Sequence, residues 1–137
     1  MMDEQIIRSV TLFFYLNLFD SRASYSASQK VLSSWKDLDS DHRSDLIPLA
    51  RKILKASHGL KIFSPQGVPV EFAIPPNFSM DAWMEFRKRA DSAEFEAVLW
   101  SSVLGFTDEE VAAGLGVTEG TIRHRVSRGL REFGRLV

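Results

Sequence analysis

The sequence contains no cysteine, and long hydrophobic runs are also missing. Without a thiol, disulfides, thiolate metal sites and cysteine nucleophiles are excluded. The apolar segment Val10–Phe19 is too short for a membrane span, which takes about 20 residues, and it includes Asn17. Asp3 and Glu4 precede this segment, where a signal peptide would carry positive charge. We therefore expect a cytoplasmic protein that makes no contact with a membrane.

Signs of catalysis are equally scarce. The three histidines, His42, His58 and His124, are not spaced from one another as metal ligands. No Gly-x-Ser-x-Gly motif occurs, and the glycine-rich stretch 114–120 lacks the Gly-Lys-Ser/Thr ending of a phosphate-binding loop. The sequence predicts no enzymatic activity, no metal and no cofactor.

Composition and periodicity indicate a mainly α-helical globular protein. Of 137 residues, 45% are hydrophobic and 26% are charged, which is ordinary for a folded domain of this size. The pattern predicts an N-terminal three-helix unit, a short β-hairpin and linker, and a C-terminal four-helix unit that contains a helix-turn-helix. The corresponding ranges are residues 1–59, 60–78 and 79–137.

The first predicted helix, residues 4–20, is apolar around most of its circumference and must be covered on most sides. It either forms the spine of a small domain or shares one side with a partner, for example in a homodimer through residues 6–19. Residues 20–24 are predicted as a turn before a second helix, Tyr25–Leu38. A third helix is predicted to end near Ser57, with Pro48 tolerable in its first turn.

The predicted hairpin lies between these helices and the C-terminal unit. Leu60–Phe63 and Val68–Phe72 are short runs rich in β-branched and aromatic residues, and a Ser-Pro-Gln-Gly turn separates them. Beyond a proline-rich linker, Ser79 is predicted to cap a helix that runs through Ala90. The next helix is predicted over Asp91–Leu104.

Residues 107–133 carry the most specific pattern in the chain. Thr107 or Asp108 can cap a first helix, and Gly116 supplies the backbone freedom that a sharp turn requires. Thr118 then provides a second cap, and an apolar set follows at helical spacing: Ile122, Val126, Gly129, Leu130 and Phe133. This order of features predicts a helix-turn-helix.

The second of these helices concentrates positive charge that the chain as a whole lacks. The net charge of the protein is −1, whereas five arginines and two glutamates follow Thr118. A helical wheel places the polar side opposite Ile122 and Val126. A localised basic stripe of this kind is typical of phosphate contact, although a solvated arginine-rich face is the simpler alternative.

Residues 109–130, EEVAAGLGVTEGTIRHRVSRGL, resemble region 4 of bacterial sigma factors of the extracytoplasmic-function type. The resemblance extends over about residues 92–133 and includes Arg125, where most other helix-turn-helix families have an apolar residue. It implies recognition of promoter DNA in the major groove and a contact with core RNA polymerase. Residues 11–38 resemble the N-terminal sigma domain only weakly. No segment matches the aromatic and basic helix with which that domain melts promoter DNA.

The position of each side chain on this helix predicts its role. Arg123 is the best candidate for a bidentate contact to guanine, and Glu119 is suited to accept a hydrogen bond from the amino group of cytosine. Arg128 and Arg131 are better placed for phosphates, and Arg125 either contacts DNA or pairs with Glu109 or Glu110. The complete predicted DNA-contacting set is Thr118, Glu119, Gly120, Arg123, His124, Ser127, Arg128 and Arg131.

Two functions therefore remain open at the level of sequence. The first is a sequence-specific DNA-binding transcription regulator that reads double-stranded promoter DNA with residues 118–133. The second is a sigma-mimicking interaction module that binds an anti-sigma factor or RNA polymerase without touching DNA. A steep salt dependence of binding to DNA distinguishes the first from the second.

Overall fold

The computed structural model describes residues 4–57 and 77–136, and these residues form helices and connecting turns without a strand. The α-helices are α1 (Glu4–Leu18), α2 (Ser21–Leu38), α3 (Leu46–Ser57), α4 (Met80–Arg89), α5 (Ser92–Ala97), α6 (Asp108–Leu115) and α7 (Glu119–Gly134). A 3-10 turn, Arg43–Asp45, precedes α3, and a π-helical segment, Val98–Val103, continues α5. The mainly α-helical prediction is confirmed. The predicted β-hairpin lies outside the described residues.

The chain divides into two compact units, Met1–Pro75 and Pro76–Val137. In the first unit α1 packs against α2 and α3. Phe13 and Phe14 of α1 have no exposed surface, and their rings meet edge to face at 5.1 Å. Within α1, Ile7 stands out, with 42% of its surface exposed. This burial favours the spine interpretation of α1, because the most apolar residues proposed for a dimer contact already lie inside one chain.

The helix α2 begins earlier than its sequence predicts. Residues 20–24 are not a turn, because Asp20 caps the helix by accepting a hydrogen bond from the Ala23 N–H at 2.8 Å. The hydroxyls of Ser24 and Ser28 each donate to the carbonyl four residues earlier, at 2.6 Å. These serines are buried in the helix, where their internal hydrogen bonds satisfy the hydroxyls.

In α3, Pro48 is the third residue of the helix, which confirms the prediction that it lies in the first turn. An N–H group at that position has no partner within the helix, so the proline costs no helical hydrogen bond. None of the helices in the described residues is long and apolar enough to cross a membrane.

An aromatic cluster holds the second unit together. Trp83 and Phe86 from α4 meet Phe95 from α5 at ring-centroid distances of 4.8 and 5.7 Å. Phe133 of α7 lies 5.8 Å from Trp83 and 5.4 Å from Phe86, and Phe78 completes the group. Aromatic pairs at such distances contribute about 0.5–1.5 kcal/mol each beyond the burial of their area. The cluster therefore fastens the C-terminal end of α7 to α4 and α5.

A glycine sets how closely α7 approaches the helix beneath it. A Cβ atom on Gly129 would collide with a methyl group of Val98 and would stand 3.2 Å from the backbone carbonyl oxygen of Glu94. Val98 is itself buried, so it has little room to yield. Gly129 is thus required by the crossing of α7 over α5 and the π-helical segment.

We expect Gly129→Ala to lower the free energy of unfolding by about 1–3 kcal/mol, because the added methyl group overpacks the helix crossing. Urea unfolding followed by circular dichroism measures this change. Gly134→Ala is the matched control in the same helix, because a Cβ there meets nothing within 4 Å. Equal stability of the two variants would contradict the assigned role of Gly129.

Candidate nucleic-acid interface

The first helix of the turn motif, α6, begins with a reciprocal pair of hydrogen bonds. The Thr107 hydroxyl accepts from the Glu110 N–H at 3.1 Å, and the Glu110 carboxylate accepts from the Thr107 N–H at 2.9 Å. This capping box satisfies two backbone donors that a helix start otherwise leaves unpaired. Of the two predicted caps, Thr107 is the one that the structure shows, and Asp108 is the first helical residue.

The turn between α6 and α7 is short and closely hydrogen-bonded. Gly116 has φ 73° and ψ 35°, a left-handed conformation that glycine adopts without a Cβ clash. The N–H groups of Gly116 and Val117 both donate to the carbonyl of Ala112. Thr118 caps α7, because its hydroxyl accepts from the Thr121 N–H at 3.1 Å. These contacts fix the direction in which α7 leaves the turn.

The apolar side of α7 packs into the core of the C-terminal unit. Ile122 is fully buried with Val111 and Ala112 of α6. Val126 and Phe133 are half-buried along the same side of α7. Leu130, which the sequence pattern assigns to this side, is 43% exposed. It lies about 100° from Gly129 around the helix axis, beyond the edge of the buried side.

The opposite side of α7 is open to solvent and brings together every residue of the predicted DNA-contacting set. All eight are exposed: Thr118, Glu119, Gly120, Arg123, His124, Ser127, Arg128 and Arg131. They extend along the helix from its first turn almost to its end. We call this surface the α7 outer face.

The guanidinium group of Arg123 lies over the first turn of α7. A Cβ atom added to Gly120 would stand 3.9 Å from a terminal nitrogen of Arg123 and 3.9 Å from the Thr118 hydroxyl oxygen. The backbone N–H groups of this turn are the ones that a helix leaves without internal partners. A cationic side chain and the N-terminal backbone donors of α7, one of which the Thr118 cap satisfies, therefore occupy the same end of the helix, where an anion or a base edge would be met first.

The arginines of α7 differ in their ion pairs. Nε of Arg128 lies 3.3 Å from a carboxylate oxygen of Glu94, and a terminal nitrogen of Arg135 lies 2.6 Å from Glu132. Neither Arg123 nor Arg131 has an ion pair with a carboxylate in the described part of the chain. The outer face thus presents two guanidinium groups without an ion pair in the described residues, those of Arg123 and Arg131. A third, that of Arg128, is paired with the carboxylate of Glu94.

Arg125 lies on the flank of α7 and is half-buried. The predicted ion pair between Arg125 and Glu109 or Glu110 is absent from the part of the chain that the structure describes. The carboxylate of Glu110 takes part in the capping box of α6 instead.

A cleft of about 470 Å³ lies beside the C-terminal half of α7. Ala90 and seven charged residues line it. The charged residues are four arginines and three acids: Arg89, Arg128, Arg131, Arg135, Asp91, Glu94 and Glu132. Sequence reasoning missed Arg89, Glu94 and Arg135 as part of this surface. The helical period of α7 could have indicated Arg135. The other two come from different helices, and only the tertiary packing brings them here.

These features define a class of protein. A capped helix, a glycine turn and a second helix with a buried apolar side and an exposed cationic side constitute a helix-turn-helix.

Comparison with protein families narrows that class. Residues 92–133 match the family model described as sigma-70, region 4. The C-terminal part of the chain is therefore a sigma region 4-like domain. Comparisons with curated proteins and with solved structures gave no match. The matched range begins with α5, so α4 and its part of the aromatic cluster precede it.

Proposed function

We propose that the unit 76–137 binds double-stranded DNA as a sequence-specific transcription regulator that resembles a sigma factor. In this proposal α7 enters the major groove of promoter DNA. The observation that carries the proposal is that every residue of the α7 outer face is exposed, on a helix whose opposite side is fixed in the core. The sigma region 4 match over the same residues supports it.

The electrostatics of the unit also support contact with DNA. The protein has a net charge of −1, so attraction to nucleic acid must come from a local surface. Arg123 and Arg131 provide such a surface because neither is neutralised by a described carboxylate. Neutralising phosphates with arginine releases counterions, which makes the affinity fall as salt is raised.

The position of each side chain along α7 suggests its role. Arg123 and Glu119 lie at the N-terminal half, which enters the groove first in helix-turn-helix complexes. We assign them to base edges, together with His124 and Ser127. Arg128 and Arg131 lie further along and are assigned to phosphates, which position a protein on DNA without reading the sequence.

We further propose that the protein acts in the cytoplasm and that core RNA polymerase is a second partner, as the resemblance to sigma region 4 implies. One observation favours a competing function. Arg128 and Arg135 are both paired with carboxylates, so part of the basic surface is neutralised within the protein. A module that binds an anti-sigma factor or polymerase without DNA would have less need of free cations on α7.

Binding of the full chain to labelled duplex DNA, measured by fluorescence anisotropy at several salt concentrations, separates the two functions. We expect the logarithm of the binding constant to fall linearly with the logarithm of the salt concentration, because counterions are released from phosphates. Core RNA polymerase captured from lysate after nuclease treatment, together with no affinity for any duplex, would instead favour the interaction module.

We expect Gly120→Leu to abolish binding to DNA while the protein stays folded. The residue is exposed near the start of α7, so a bulky side chain there would keep the helix out of the groove. Replacing a glycine within a helix by a better helix former raises stability by roughly 0.5–1 kcal/mol. Gly134→Leu, at the far end of the same helix, is the matched control. If Gly120→Leu bound DNA as tightly as the wild type, the DNA would not lie against the start of α7.

Arg123→Ala and Arg131→Ala should weaken binding in different ways. Sites selected from a random duplex library supply the specific sequence, and a scrambled duplex is the comparison. Arg123→Ala should cost about 1–3 kcal/mol on the selected site and relax the base preference, because a base contact is lost. Arg131→Ala should weaken both duplexes alike and lower the salt slope by about one. Equal losses on both duplexes for Arg123→Ala would refute its role in base reading.

A further inference from the structure

We propose that Glu94 is a positioning residue for DNA binding, which holds Arg128 in place for a phosphate. This inference rests on the proposed function, because it assigns Arg128 to the DNA backbone. Glu94 comes from α5 and lies outside the helix-turn-helix itself. Its role would make part of the DNA contact depend on the helix beneath α7.

The two partners of this ion pair differ in their freedom. The side chain of Glu94 is only 17% exposed, whereas that of Arg128 is 60% exposed. The backbone of Glu94 is also restrained, because its N–H donates to the Asp91 carboxylate at 3.3 Å and its carbonyl lies against Gly129 of α7. Glu94 is thus the fixed member of the pair, and Arg128 is the member that reaches into solvent.

The geometry of the pair leaves the terminal groups of Arg128 available. Glu94 contacts Nε, at 3.3 Å. A guanidinium group has five N–H donors in a rigid plane, so one edge can pair with a carboxylate while the terminal amino groups bind a phosphate. An arginine that is already ordered loses less rotamer freedom when DNA binds, which strengthens binding.

The negative charge of Glu94 has an opposite effect, because it repels a nearby phosphate. Two substitutions separate these effects. Glu94→Gln removes the charge but keeps a polar oxygen within reach of Nε of Arg128, whereas Glu94→Ala removes both the charge and that oxygen.

The second ion pair of α7 provides an internal control. Glu132 and Arg135 are three residues apart on the same helix, and their side chains are 51% and 66% exposed. Among the described residues, neither side chain has a hydrogen bond or an ion pair to another helix. Removing the carboxylate of Glu132 therefore deletes a charge near the same cleft without releasing a positioned arginine.

The test measures binding of the full chain to a short fluorescein-labelled duplex of mixed sequence, by anisotropy at low salt. Glu94→Gln, Glu94→Ala and Glu132→Ala are compared in the wild-type and in the Arg128→Ala background. Urea unfolding of each variant confirms that it is folded under the binding conditions. A mixed-sequence duplex suffices because phosphate contacts are independent of the base sequence.

We expect Glu94→Ala to weaken binding by about two- to tenfold, the range that corresponds to immobilising one flexible side chain. Glu94→Gln and Glu132→Ala should bind as well as the wild type or more tightly. In the Arg128→Ala background the loss caused by Glu94→Ala should vanish, since no arginine remains to be positioned.

Two results would overturn the inference while DNA binding itself stands. If Glu94→Ala tightens binding as much as Glu94→Gln does, Glu94 acts only through its charge. If Glu94→Ala weakens binding equally in the Arg128→Ala background, it supports the fold and does not position Arg128. A folded wild-type protein without affinity for any duplex would overturn the proposed function, and the role of Glu94 with it.

Discussion

The close crossing of α7 over α5 is the contact on which the C-terminal unit depends. Gly129 allows α7 to approach so closely that a Cβ atom in its place would collide with Val98, and Phe133 anchors the next turn of α7 in an aromatic cluster with Trp83 and Phe86. A helix held so firmly on one side has a fixed orientation. Its other side, the α7 outer face, can therefore be presented to a ligand without a further ordering cost.

The same crossing divides the arginines of α7 into two groups. Where α7 lies against α5, Arg128 comes within reach of Glu94 and is paired. Nearer the turn, Arg123 has no described carboxylate partner and lies over the first helical turn. Arg131, one turn beyond Arg128, likewise has no described carboxylate partner, so the paired Arg128 lies between two arginines without one.

Much of the fold could be predicted because its signals are local. Thr107, Gly116 and Thr118 form caps and a left-handed turn whose chemistry depends on a few neighbouring residues. Local reasoning failed at residues 20–24, where serines suggested a turn. Asp20 caps α2 there, and Ser24 and Ser28 bond to their own helix, so the neighbouring helices decide only that these serines are buried. Leu130 shows the reverse case, because it is apolar and was assigned to the buried side, yet it is 43% exposed.

The sequence by itself determined the helix-turn-helix, the polarity of α7 and the residues of its outer face, because helical periodicity and capping act over a few residues. Tertiary structure alone decided that Arg128 is paired with Glu94 and which residues line the adjoining cleft. Glu94 and Arg128 are far apart in the chain, and they meet at 3.3 Å only because α5 and α7 cross at Gly129. Ion pairs between helices depend on such distances, and no pattern along a single helix encodes them.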